Sequence, residues 1–263
     1  MDDFAIYVLG HSRHLHIGAI LESLRLQDAL KYTHVWIDGH QGNPERRALT
    51  DRVYGVVAQY QPAEVRPHNG NLGFRKIIIQ ALIDAVNRYR SFLILEDDCF
   101  PTSQAVAAFR EQLGTIESDP SVFSVYGHHF LVPAESETCT RFQSWGWGTT
   151  GSKLRPVLDE LIDCYALPEP DYLAYVNGLL TPEVVARIDV TPPRQPTNTL
   201  RKFFAWDETV TLLTAVRGLV HRKTPQRTIY NFGVQHSSHF RNIRWYRDPP
   251  FNMVPIDDIW NYF

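Results

Sequence analysis

The residues Leu93-Ile94-Leu95-Glu96-Asp97-Asp98 join an apolar, strand-forming run to three consecutive carboxylates. A buried strand has little reason to finish in three like charges unless a cation or a charged ligand sits at its end. In α/β sheets the carboxyl edge is where ligands bind. Adjacent acids repel one another, and a hard divalent cation with oxygen ligands is the simplest compensation. The alternative is a solvated strand end whose acids favour the start of the next helix.

Six further segments carry side chains of chemical interest. Gly10-His11-Ser12-Arg13 follows an apolar run, and a small residue with an arginine there can approach a phosphate. Asp38 precedes Gly39 and can accept hydrogen bonds from a base or ribose, or form an ordinary Asp-Gly turn. The run from Arg66 to Lys76 is dense in Asn and Gly and feeds a helix. Its Arg75 and Lys76 fall in the first helical turn, where the dipole disfavours cations, so either a bound anion resolves the conflict or both point into water. Asp38, His68 and Arg13 all fall at carboxyl ends of early strands and are expected to line one nucleotide pocket. Ser144-Trp145-Gly146-Trp147 sets two indoles among glycines, suited to stacking on sugar rings or to covering a core. Trp206-Asp207-Glu208 puts an aromatic face and two acids at a helix start, as caps or as a general base. A last polar loop, Asn231 to His239, holds His236 and His239 three residues apart, close enough in one helical turn to share a metal.

The elements that must position these groups alternate regularly in the first half. Strands are expected at Phe4–Leu9, Thr33–Ile37, Val65–Arg66, Phe92–Leu95 and Val122–Tyr126. Helices are expected at His14–Ala29, Pro44–Tyr60, Leu72–Tyr89 and Ser103–Ile116, from apolar residues at helical spacing and proline at a helix start. Such β-α-β-α order implies an α/β fold with a mainly parallel sheet flanked by helices. The second half is less regular, with a helix at Asp207–Val216, a proline-rich loop at 190–198 and an aromatic end at 244–263. The whole reads as one domain, with a nucleotide-binding half over about 1–130 and an acceptor-side half over about 131–263.

Composition narrows the function classes. Of 263 residues, 44% are hydrophobic, enough for a sizeable core. Lys and Arg number 26 against 29 Asp and Glu, a net charge of -3, which gives no electrostatic case for nucleic acid. Cys99, Cys139 and Cys164 are too few and scattered for a disulfide framework and fit a reducing compartment. The acidic Met1-Asp2-Asp3 start has no signal-peptide character, and no apolar run reaches the roughly 20 residues needed to span a bilayer. A cytoplasmic location is expected, with peripheral membrane contact compatible.

In order and content these segments resemble GT-A fold glycosyltransferases, in particular bacterial family 2-like sugar transferases akin to N-acetylglucosaminyltransferase I. The likeness rests on the Ser-Arg turn, Asn71-x-Gly73-x-x-Lys76, Leu95-Glu96-Asp97-Asp98 with Pro101, Ser144-Trp145-Gly146-Trp147, Trp206-Asp207, and Asn231-Phe232-Gly233 through His239. It implies a GT-A nucleotide-binding fold and a nucleoside diphosphate sugar donor, with uracil as the base. Asp98 would bind Mn2+ or Mg2+ at the diphosphate, with His239 a further metal ligand, and Glu96 and Asp97 would lie near ribose and donor sugar. Arg13, Asp38, His68, Asn71, Arg75 and Lys76 would complete the donor site, while Trp145, Trp147 and Trp206 would stack on sugar. Asp207, with Glu208 in reserve, would be the base that deprotonates a glycan or other hydroxyl acceptor. One base without a nucleophile implies inversion by direct displacement. The chain departs from the pattern at Trp147-Gly148-Thr149-Thr150, where relatives carry a further tryptophan, and at Ser237-Ser238-His239, where relatives have Gly-Thr-His. A nucleotidyltransferase, or an inactive carbohydrate-binding protein on the same fold, would share much of this pattern.

Overall fold

The computed structural model describes residues 2–40, 42, 44–68, 70–129, 136–188, 199–234, 247 and 251–263. The chain alternates β1 (Asp2–Gly10), α1 (His14–Leu26), β2 (Thr33–Ile37), α2 (Pro44–Tyr60), β3 (Glu64–Pro67), α3 (Phe74–Arg88) and β4 (Tyr89–Glu96). It continues through β5 (Cys99–Pro101), α4 (Ala105–Ile116), β6 (Val122–Tyr126), β7 (Thr138–Cys139) and β8 (Trp147–Thr150). Then come α5 (Gly151–Ala166), α6 (Glu169–Leu179), α7 (Pro182–Arg187), α8 (Trp206–Val216), β9 (Val220–Lys223) and β10 (Ile229–Asn231), and a 3-10 helix over Ile256–Tyr262.

Eight strands form one sheet in the order β3-β2-β1-β4-β8-β6-β9-β7. The pairs β3–β2, β2–β1, β1–β4 and β6–β9 are parallel, while β8 and β7 run against their neighbours. The expected α/β architecture with a mainly parallel sheet is the observed one. Period-2 alternation drives it: Ala5, Tyr7 and Leu9 face a core shared with α3, α5 and α8, while Phe4, Ile6 and Val8 face a second core with α1, α2 and α4. Both sheet faces are thus covered, which is why β1 and β4 read as nearly continuous apolar runs.

Beyond the helices and strands of the second half that the sequence reading left unassigned, two departures bear on the site. Trp147–Thr150, to which the sequence reading assigned no strand, is the antiparallel strand β8 inserted at the middle of the sheet. A four-residue strand with an internal glycine carries almost no strand signal. Yet Gly148 is needed there, since a Cβ would lie 2.7 Å from the Phe92 carbonyl of β4. The residues just after the acidic triplet, expected to lead into a helix, first form β5, which pairs antiparallel with β10 to bring Asn231 opposite Cys99.

The chain has three cysteines, all buried and free. No helix among the described residues is long and apolar enough to cross a membrane.

His221 in β9 is fully buried, its Nδ1 2.8 Å from Ser124 Oγ and its Nε2 3.3 Å from Thr214 Oγ1. Burial pushes its imidazole down to about 3. An unfolded chain protonates the same ring near the ordinary value of about 6.5. Stability is therefore full above about 6.5 and falls as pH drops towards the folded value. From pH 6.5 to pH 5 this single group should remove about 2 kcal/mol. Urea unfolding at the two pH values should show a smaller acid loss, by about that amount, in His221→Gln than in the natural protein; equal losses would show that His221 is not held neutral.

Candidate active site

The parallel register of β1 and β4 sets Leu9 opposite Glu96, so the two strand ends lie side by side at the carboxyl edge. The turn after Gly10 and the first residues of α1 therefore cross the acidic triplet. Arg13 Nη1 donates to Asp97 Oδ1 at 3.0 Å and to Asp98 Oδ2 at 3.1 Å. Both pairs are largely shielded, with these side chains 13–17% exposed. Shielded charge-assisted bonds of this kind are much stronger than exposed surface pairs.

The carboxylates crowd one another. Burial raises Glu96 well above the usual carboxylate range, and the charges of Asp98, Asp207 and Asp97 add to it. Asp97 is pushed up to about 6, chiefly by burial; Arg13 pulls it down and Asp98 pushes it up. The charge of Asp207 is felt at Glu96, which sets the start of α8 within electrostatic reach of the end of β4. Sequence separates these acids by more than a hundred residues, and the fold joins them.

A second closure comes from the late segment. Phe232 N–H donates to the Asp98 carbonyl at 2.9 Å, and Asn231 Oδ1 accepts Gly233 N–H at 3.0 Å. A Cβ on Gly233 would lie 2.7 Å from Asp98 Oδ2, so only glycine lets this backbone lie against the carboxylate. The sequence reading quoted Gly233 within Asn231-Phe232-Gly233 but looked to the histidines of this segment for its chemistry and gave the glycine no role of its own. His236 and His239 lie outside the described residues.

The structure gives Asp38 a different task from base or ribose recognition. It is 5% exposed, and its carboxylate accepts three backbone N–H groups: Gly39 at 2.9 Å, Leu72 at 2.7 Å and Gly73 at 3.1 Å. It latches the loop before α3 to the end of β2. Asn71 reinforces the latch by donating to the Gly39 carbonyl at 3.0 Å. His68 lies beside Trp36, rings 5.6 Å apart; burial lowers its pKa, with Asp38 raising it and Arg66 lowering it. Arg75 donates to the Phe204 carbonyl at 3.1 Å, tying α3 to the approach to α8, and Lys76 is exposed.

The three tryptophans differ in availability. Trp145 is half-buried, edge-on to His128 with centroids 5.0 Å apart. Trp147 is 0% exposed and packs against Phe142 and Trp206, so it has no face for a sugar, correcting the stacking role expected for it. Its strand position in β8 turns it into the core. Trp206, at 5% exposure, is nearly as covered.

Asp207 and Glu208 also part company. Asp207 is half-buried, and no side chain caps the N-terminus of α8, whose N-cap is Ala205. Glu208 is 3% exposed and pairs with Arg141 Nη2 at 2.5 Å. That buried pair withdraws it from a proton-transfer role. Arg141 carried no signal in the sequence, because its partner is 67 residues away.

Among the described residues, no three His, Cys, Asp or Glu side chains gather as a ready metal cage. The acidic donors are hard oxygens of the type that suits Mn2+ or Mg2+, and Arg13 sits between two of them.

No protein-family model and no curated protein matches the chain. Among solved structures it is similar to a cytidylyltransferase from Leptospira borgpetersenii, at 12% identity and TM-score 0.42, over 68% of this chain and 72% of that one. It is also similar to mannosyltransferase PcManGT from Pyrobaculum calidifontis, solved with GDP-Man and Mn2+, at 13% identity and TM-score 0.43, over 82% and 73%. A mannose-1-phosphate geranyltransferase from Thermus thermophilus is similar at 9% identity and TM-score 0.43, over 84% and 74%. Likenesses this slight leave the functional reading to the site itself.

The latch yields a prediction. Asp38→Asn keeps the shape but replaces one accepting oxygen with an amide that faces a backbone N–H. A lost buried hydrogen bond of this type costs about 1–3 kcal/mol. Chemical denaturation should show a loss in that range; a change below about 0.5 kcal/mol would mean that Asp38 does not hold the loop.

Proposed function

We propose that this chain is a metal-assisted glycosyltransferase that moves a sugar from a nucleoside diphosphate donor to a hydroxyl acceptor, with inversion. One observation supports the reading: Glu96, Asp97 and Asp98 follow one another at the carboxyl edge of parallel strands with Arg13 bridging the last two, and Asp207 lies within electrostatic reach of Glu96. Direct displacement at a sugar carbon needs the leaving diphosphate's charge stabilised and the acceptor hydroxyl deprotonated. Asp98, with Asp97 beside it, would hold Mn2+ or Mg2+; when bound, such an ion stabilises charge on the leaving phosphates.

The protein's own groups supply the rest. Arg13 holds the acidic pair in place and adds positive charge at the phosphate side. The Asp38 latch and Asn71 fix the loop that walls the nucleotide side. Asp207 accepts the acceptor's proton; its partial exposure leaves it open to a hydroxyl, whereas Glu208 is enclosed with Arg141. A UDP-sugar donor and a glycan acceptor belong to this proposal by resemblance. A nucleotidyltransferase would need a glycine-rich basic cradle after the first strand. Here that turn holds one glycine, Gly10, and one arginine, Arg13.

Two substitutions test the assignment. Asp98→Ala should abolish the Mn2+-dependent rise in melting temperature that UDP or a UDP-sugar produces; unchanged metal dependence would remove Asp98 from the metal site. Asp207→Asn should fold, with at most about 1 kcal/mol lost through the helix dipole. It should still bind nucleotide sugar and lose transfer by about 10²–10⁴-fold. Transfer at the natural rate would leave the proposed chemistry without its base.

A further inference from the structure

A second cleft, of about 430 Å³, opens beside the late segment and is lined by Arg227, Tyr230, Arg247, Asn252, Asp258 and Tyr262, among others. Arg227 forms its inner wall. Nε donates to the Ile229 carbonyl at 3.3 Å; Nη2 reaches the Asn252 carbonyl at 2.8 Å and His128 Nδ1 at 3.0 Å. Its guanidinium carbon lies 4.1 Å from the Tyr230 ring centre, and Tyr230 packs on Tyr262 with centroids 4.4 Å apart. All of these partners are neutral. No carboxylate among the described residues pairs with Arg227, and Nη1 makes no hydrogen bond to them. A half-buried guanidinium normally takes a carboxylate or phosphate partner, because its planar fork is made for two parallel bonds to such oxygens. Desolvation weakens its hold on its proton, which is the cost an incoming anion would relieve. Arg247, exposed on the same wall, brings a second cation. Asp258 is exposed and forms no ion pair with either arginine among the described residues.

His128 connects this cleft to the acidic edge. Its Nδ1 accepts the Asn231 N–H at 3.2 Å, so the neutral ring carries its proton on Nε2 and donates to the Phe251 carbonyl at 2.9 Å. Asn231 in turn positions Gly233 against Asp98. From Tyr230 to Gly233 the chain spans three residues, about 10 Å when extended. We propose that the Arg227–Arg247 cleft is a binding site for an anionic group, a phosphate or carboxylate, of a small ligand held next to the acidic edge. The site stands independently of the transferase reading, since it needs neither nucleotide nor divalent metal.

The test is calorimetric titration of the full chain with inorganic phosphate and, separately, with galacturonate, at low ionic strength without nucleotide or divalent metal. At least one anion should bind saturably in the millimolar range. Arg227→Gln and Arg247→Gln should each weaken it about tenfold or more, the scale of one charge-assisted bond. Arg52→Gln, which removes the same charge from the exposed face of α2, should leave it unchanged. If Arg227→Gln fails to fold, the exposed Arg247→Gln decides alone. Tighter phosphate identifies a phosphorylated ligand, and tighter galacturonate a carboxylated one. No saturable binding of either anion, or equal weakening in Arg52→Gln and Arg247→Gln, overturns the proposal.

Discussion

The candidate site depends on one compensation: a single guanidinium nitrogen bridging two adjacent carboxylates at a buried strand end. Three acids in sequence at the edge of an apolar sheet would repel one another and lose solvation together. Their own strand supplies no counter-charge. The neighbouring strand does, because the parallel β1–β4 pairing places the turn after Gly10 over the end of β4. Removing Arg13 would leave its two partners with uncompensated charge in a shielded place, which costs far more than an exposed pair is worth. The sheet topology is thus the precondition for the acidic edge, and the acidic edge is the precondition for the chemistry.

Around that centre the fold holds its loops still through their backbone N–H and carbonyl groups. Asp38 collects three N–H groups from its own turn and from the loop before α3. The β5–β10 pair carries the late chain past Asp98, and the missing side chain of Gly233 lets it pass at contact distance. Such arrangements suit a site that must present charges in a fixed geometry, since preorganised groups need no rearrangement when a ligand's charge develops.

Much of this was legible in the sequence. The β-α-β-α order of the first half was, because strands buried on both faces leave continuous apolar runs and the helices carry apolar stripes; Thr33–Ile37, Pro44–Tyr60 and Val122–Tyr126 have the bounds expected. The acidic triplet stood out because three charges follow directly on an apolar run ending in Leu95. What failed depended on contacts between distant segments. Trp147 reads equally as a sugar platform or a core cover until β8 is known to pair with β4 and β6. Asp38 reads as a ligand-binding acid until the loop at Leu72–Gly73 arrives to use its oxygens. Arg141 carries no local signal at all.

Asp207 and Glu208 show how such a distinction arises. Neighbouring residues in a helix point about 100° apart, so two adjacent acids cannot share an environment. Glu208 turns inward and meets Arg141. A buried ion pair adds little net stability once desolvation is counted, but breaking it is costly, so it fixes orientation more than it strengthens the fold. With Glu208 held inward by Arg141, the adjacent Asp207 is turned to a different side of α8, where it is partly exposed. The charge inside the core thereby aims the charge at its surface, and the two acids, indistinguishable as letters in a sequence, become an anchor and a candidate base.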